Sequence, residues 1–166
     1  MTIEQFFKIA EPHVAFFNDF SLTHDLIGKA AADHICYKCG SRRTFEQIRA
    51  LFEYESVYMY QSIISDRPIA YIRFKKGIET ELGIIYYLEL SDQKPDGSQK
   101  EGFDHIEVYP VSQSYDELVQ KLAKDVPVMH KERPHHTTDD IEMEHGFLFR
   151  CTRGPLITKI KASEMI

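Results

Sequence analysis

Apolar residues first recur at near-helical spacing, at Phe6, Phe7, Ile9, Ala10, Phe16, Phe17 and Phe20. This pattern predicts a helix over residues 2–20. Thr2 and Gln5 have capping-box spacing, and Pro12 is placed to kink or divide the segment. Residues 21–30 read as a second short helix or turn. The period then changes to two. ADHICYKC alternates as a strand, and RTFEQIRALFEY (43–54) follows as an amphipathic helix with Phe45, Ile48, Leu51 and Phe52 on its apolar face. SVYMYQSII, IAYIRF and GIIYYLEL then read as three strands.

A polar stretch rich in turn formers, SDQKPDGSQKEG (91–102), interrupts the pattern. The order then restarts. FDHIEVYP is a strand, and 114–126 is a helix with Ser114 and Glu117 at capping-box spacing and Leu118, Leu122 and Val126 on one face. Strands are expected at 128–132 and 141–151, joined by RPHHTTDD, with a last strand at LITKIKA (156–162). The expected class is therefore α+β. Two tandem βαβββ units, 31–90 and 103–166, form a curved mixed sheet around a cavity, preceded by a helical segment over 1–30 and joined by the 91–102 linker.

The restart repeats a tripeptide, Asp-His-Ile, at 33–35 and again at 104–106. Strand alternation sets Ile35 and Tyr37 on one face and His34, Cys36 and Lys38 on the other. It likewise sets Ile106 and Val108 opposite His105, Glu107 and Tyr109. The apolar faces should meet the helices, and the histidines should look into the cavity. On the fourth strand Ile85, Tyr87 and Glu89 share a face. A glutamate there is costly unless something cationic meets it. If the first strands of the two units lie centrally, His34, His105 and Glu89 converge. Two imidazoles and one carboxylate suit a divalent ion such as Fe, Mn, Ni, Co or Zn, with positions left open for substrate. One inward histidine is more often a hydrogen-bonded structural residue. Its repetition at matching positions favours a ligand pair.

Composition narrows the partners. The chain has 166 residues, a net charge of −6 and 28% charged residues, which argues against a nucleic-acid partner. No run of about 20 apolar residues suggests a membrane span, and Glu4, Lys8, Glu11 and Pro12 interrupt any signal-peptide pattern. Three cysteines, Cys36, Cys39 and Cys151, fit a reducing, cytoplasmic setting. Cys36 and Cys39 have zinc-like spacing, but in a regular strand they point to opposite faces. His135 and His136 fall in a polar loop, either solvated or lying over the cavity. Tyr58, Tyr60, Tyr71, Tyr86 and Tyr87 read as packing residues, some of them able to line a pocket. The expected partner is a small molecule, and the chain is expected to be a monomer or homodimer.

ADHICYKC, DRPIAYIRF, YYLEL and EGFDHIE together resemble the vicinal oxygen chelate superfamily of glyoxalases and extradiol dioxygenases, and within it the YecM family. The resemblance implies a metal-dependent isomerase, lyase or oxygenase, or a ligand-binding module on the same fold. It implies ligands at His34, Glu89 and His105, with Glu107 or Glu144 as general base. A fourth ligand would fall on LITKIKA, near Lys159 or Lys161, which are poor metal ligands. Glu142, Glu144 and His145 are the substitutes in view.

Overall fold

The computed structural model describes residues 1–64, 67–132, 136–157 and 160. It opens with α1 (Ile3–Thr23), capped by Thr2 and Gln5 through both bonds of a capping box. The helix runs through Pro12 undivided. Its buried stripe of Phe6, Ala10, Val14, Phe17 and Ser21 follows helical spacing. Burying a phenylalanine of this kind stabilises by roughly 1.5–3 kcal/mol.

The first unit comprises β1 (Ala30–Lys38), α2 (Arg42–Leu51), β2 (Ser56–Ile64), β3 (Arg67–Thr80) and β4 (Gly83–Ser91). The second comprises β5 (Gly102–Pro110), α3 (Tyr115–Ala123), β6 (Met129–Glu132), β7 (Thr137–Glu142) and β8 (Leu148–Cys151). Ser41 and Ser114 cap α2 and α3, each accepting from the backbone amide three residues on.

All eight strands form one sheet in the order β2-β3-β4-β1-β5-β8-β7-β6. The order is palindromic about the central antiparallel pair β1–β5, with Ile35 opposite Ile106. Outward from that pair, β1 runs parallel to β4 and β5 parallel to β8. The main core lies on the helix side, where Ile35, Tyr37, Ile106 and Val108 meet Phe6, Phe45, Phe52 and Leu118. The opposite, concave face carries His34, His105 and Glu89.

Three expectations change. The stretch 141–151 is not one strand: β7 begins at Thr137 inside the expected RPHHTTDD loop, and a turn at 143–147 separates it from β8. That turn needs left-handed backbone at His145 and Gly146. Among the described residues the last strand of the second unit ends at Cys151, and those of LITKIKA, Leu156, Ile157 and Ile160, are helical rather than a strand. Lys159 and Lys161 lie outside the described residues. Finally, Ile85 joins the main core beside Leu88 and does not share the face of Tyr87 and Glu89. A register shift between Arg73 and Ile78 on β3 changes the phase there.

The 91–102 connection is tied down. Gln99 Nε2 donates to the carbonyls of Cys39 and Asp92 at 2.9 and 2.8 Å.

Candidate functional site

The repeated Asp-His-Ile is explained by two β-bulges. Pairing of β1 with β5 slips between Ala32 and His34, and again between His105 and Phe103. Asp33 and Asp104 are the extra residues. A bulge turns two consecutive side chains to one face. Accordingly the core-facing residues change parity across each bulge, from Ala32 to Ile35 and from Phe103 to Ile106. Each aspartate thus stands beside its own histidine, with Asp33 Oδ2 2.7 Å from His34 Nδ1 and Asp104 Oδ2 2.7 Å from His105 Nδ1. A carboxylate only accepts, so both Nδ1 atoms carry the proton and donate it.

The strand register brings Glu89 to the same place. His34 Nε2 lies 3.1 Å from Glu89 Oε2, and the two imidazoles are 5.8 Å apart between ring centres. One ligand atom each from His34, Glu89 and His105 lies within 4.8 Å of the others. His34 is fully buried and His105 nearly so. Glu107 is buried beside them, its Oε2 3.7 Å from His34 Nδ1. His34 Nε2 and Glu107 Oε2 are buried atoms without a hydrogen bond of proper geometry.

Arg150, on β8, completes the group. Its Nε and Nη2 donate to the two oxygens of Asp140 at 2.9 and 3.1 Å. Its Nη1 rests 3.1 and 3.3 Å from the two ring nitrogens of His105. Lys38, at the rim, pairs with Asp104 at 3.3 Å.

These contacts move the protonation equilibria. Burial alone would lower the His34 pKa, but Glu107, Asp33 and Glu89 together raise it well above the usual value. For His105, burial and then Arg150 push the value down to about 4. Burial pushes Glu107 up to about 7, with Glu89 adding and His34 opposing. Burial alone would raise the Glu89 pKa, but His34, His105 and Arg150 together hold it well below the usual carboxylate range.

The other expected residues lie elsewhere. Glu144 and Glu142 line a cleft with Phe16, Phe20 and His24 on the α1 side. Glu144 is exposed, as is His145; neither reaches the histidines. Cys36 faces Glu89 at 3.6 Å, whereas Cys39 sits in the helix-side core. His136 Nε2 lies 4.0 Å from Glu107 Oε1, and His135 lies outside the described residues. Tyr71 and Tyr87, with Tyr58 and Tyr60, form a second cluster with Ile69 and Ile157. Sequence reasoning missed Asp33, Asp104, Asp140 and Arg150. FLFRC carried the signal for Arg150, a lone charge in an apolar strand just as Glu89 is in YYLEL.

Two βαβββ units side by side, with paired central strands and a concave face bearing His and carboxylate groups, make a glyoxalase-like fold. The family described as YecM protein matches residues 5–153. The chain belongs to the YecM family. The structural-genomics protein EC4020 superposes with a TM-score of 0.69 at 20% identity, over 95% of this chain and 91% of that one. Streptomyces coelicolor methylmalonyl-CoA epimerase, in complex with 2-nitronate-propionyl-CoA, has a TM-score of 0.49 at 18% identity, over 75% and 96% of the two chains. No curated protein matches the sequence.

Proposed function

We propose that the concave face binds a divalent metal ion through His34, His105 and Glu89 and presents it to a small molecule that chelates through neighbouring oxygens. The observation that carries this reading is the arrangement at the histidines. Each Nδ1 is committed to its bulge aspartate, which fixes the tautomer and leaves Nε2 to face inward, as second-shell carboxylates do for ligating histidines. His34 Nε2 and Glu89 Oε2 lie 3.1 Å apart in the buried site without hydrogen-bond geometry between them, so imidazole and carboxylate converge as two ligands of one ion would.

The local charge supports a cation. Among the described residues, the carboxylates Asp33, Glu89, Asp104, Glu107 and Asp140 gather around two fixed cations, Lys38 and Arg150. Protons on His34 and Glu107 relieve that excess in the free protein. A bound divalent ion supplies Lewis-acid polarisation of a substrate oxygen. Glu107, poised near neutrality by its burial, is the residue placed to take a proton from the bound molecule. A second reading, binding without turnover, is favoured by Arg150, a cation set against His105 on the side where a further ligand would complete the set.

The test is metal content by mass spectrometry on protein purified without a metal-affinity column, wild type beside His105→Ala. Near-stoichiometric metal in the wild type and little in the variant is expected. No metal in either, with none taken up on titration, would overturn the proposal.

A further inference from the structure

We propose that Arg150 is the anchor for a carboxylate on the bound molecule, so that the site selects small acids carrying a hydroxyl or keto oxygen next to the carboxylate. The inference deepens the metal-binding reading and rests on it for the second oxygen.

It begins with the internal symmetry. His34 pairs with Tyr87 on β4, and His105 pairs with Leu148 on β8. Two residues beyond those partners stand Glu89 and Arg150. The same corner of the two halves therefore holds a carboxylate in one and a guanidinium in the other. A site built from two equal halves would offer a second anion here. This chain offers a cation that stays charged under all ordinary conditions.

The guanidinium is also only partly used. Asp140 takes Nε and Nη2, while Nη1 is turned toward the two ring nitrogens of His105. His105 Nδ1 donates to Asp104 and cannot accept from Arg150, and Nη1, nearly equidistant from the two ring nitrogens at 3.1 and 3.3 Å, lies over the face of the ring and on neither lone pair. Among the described residues Nη1 is thus a buried, charged N–H donor without a well-placed acceptor. An anionic oxygen of the ligand supplies one. A carboxylate fits best, because one oxygen can meet the guanidinium while the molecule's other oxygens reach the metal. Glu89, Asp104 and Lys38 keep 16%, 22% and 24% of their side-chain surface exposed, and Lys38 adds a second cation at that rim.

Lactate and lactamide share a skeleton and exchange a carboxylate for a neutral amide; because that exchange also alters binding to nickel, the informative quantity is the change in their preference between wild type and variant. The experiment measures the affinity of each for the nickel-equilibrated full chain by calorimetry, in wild type and Arg150→Gln. The lactate-to-lactamide preference should fall roughly 10–100-fold in the variant, the range of a hydrogen bond to a charged group. An unchanged preference in a folded variant overturns the proposal. Should Arg150→Gln fail to fold, the guanidinium NMR signals of the unmutated protein decide. Arg150 shifting with lactate and not with lactamide supports the anchor, and no shift with either overturns it. Repeating the titration with a chelator present separates the two readings. Failure to take up nickel, with lactate still shifting Arg150, removes the metal and keeps the anchor. Nickel uptake with lactate and lactamide bound equally removes the anchor and keeps the metal.

Discussion

Glu89 and Arg150 stand at equivalent points of the two halves, each two residues past the fourth-strand partner of its own histidine. The sheet is symmetric there and the charge is not. His34 therefore meets a carboxylate at 3.1 Å, and His105 meets a guanidinium at 3.1 Å. The two imidazoles, alike in burial and in their aspartate bonds, are driven apart. His34 is held protonated above the usual range, whereas burial and Arg150 bring His105 down to about 4. In metal-free protein, an NMR titration of histidine ring carbons should show one buried histidine still charged above neutral pH. Another should stay neutral until about pH 4. Two buried histidines titrating together near 6.5 would contradict the asymmetry.

The bulge aspartates should matter to any metal bound here without touching it. Asp33→Asn and Asp104→Asn keep the shape and lose the charge that makes each histidine a better donor. Outer-shell partners of this kind typically contribute about 10–100-fold in metal affinity. A competition titration against a coloured chelator should show each variant weakened within that range. Far-ultraviolet circular dichroism should stay unchanged. Wild-type affinity in both variants would make the aspartates structural only.

How much of this was legible in the sequence depends on what each residue had to reveal. Alternation alone placed His34, His105 and Glu89 on one face, because strand periodicity fixes the face of a side chain wherever the strand is regular. It could not place Asp33 and Asp104, which by alternation should point away from the histidines. Only the pairing partner shows that the strand is bulged. Arg150 was hidden by a boundary error. A chain reversal at His145 and Gly146 depends on left-handed backbone that GFLFRC does not advertise, so 141–151 read as one strand and LITKIKA as the next. The fourth corner then fell on Lys159 or Lys161, whereas Arg150 on β8 stands there. Ile85 was misplaced for a related reason, since the irregularity that shifts its phase lies on the neighbouring strand.

That irregularity includes Gly77, where the absence of a side chain has a spatial cause. A methyl group there would meet the Ile84 side chain and come within 3.0 Å of the Ile85 carbonyl oxygen. The side chain can turn away, but the carbonyl belongs to the β4 backbone and cannot without disturbing the strand that carries Glu89. Gly77→Ala should destabilise by about 1–3 kcal/mol, the usual cost of overpacking. For a chain of this size that lowers the melting temperature by about 2–4 °C per kcal/mol. A variant melting at or above the wild-type temperature would show that β3 and β4 separate easily here.

His13, on α1, sets a limit on acid stability. Its ring lies 4.8 Å from Phe147 and 5.5 Å from Phe103, and its Nδ1 is buried without a hydrogen bond. Burial first, and the nearby His145 second, lower its pKa below the ordinary 6.5. The unfolded chain keeps the ordinary value. Above 6.5 the imidazole is neutral in both states, and pH has no leverage through this residue. As pH falls below 6.5 the unfolded chain takes up the proton before the folded one does. Stability is lost progressively through that window, and the loss is complete once pH passes below the depressed folded value. His13→Leu keeps an apolar body against Phe103 and Phe147 and removes the titration. Other acidic groups respond to pH in both proteins, so the informative quantity is the difference between them. Thermal melts from pH 8 to pH 5 should run parallel above about 7 and diverge below it, the variant losing less. Curves that stay parallel to pH 5 would mean that His13 takes up its proton as readily in the folded protein as in the unfolded chain, and that the aromatic cluster opens to water at this point of α1.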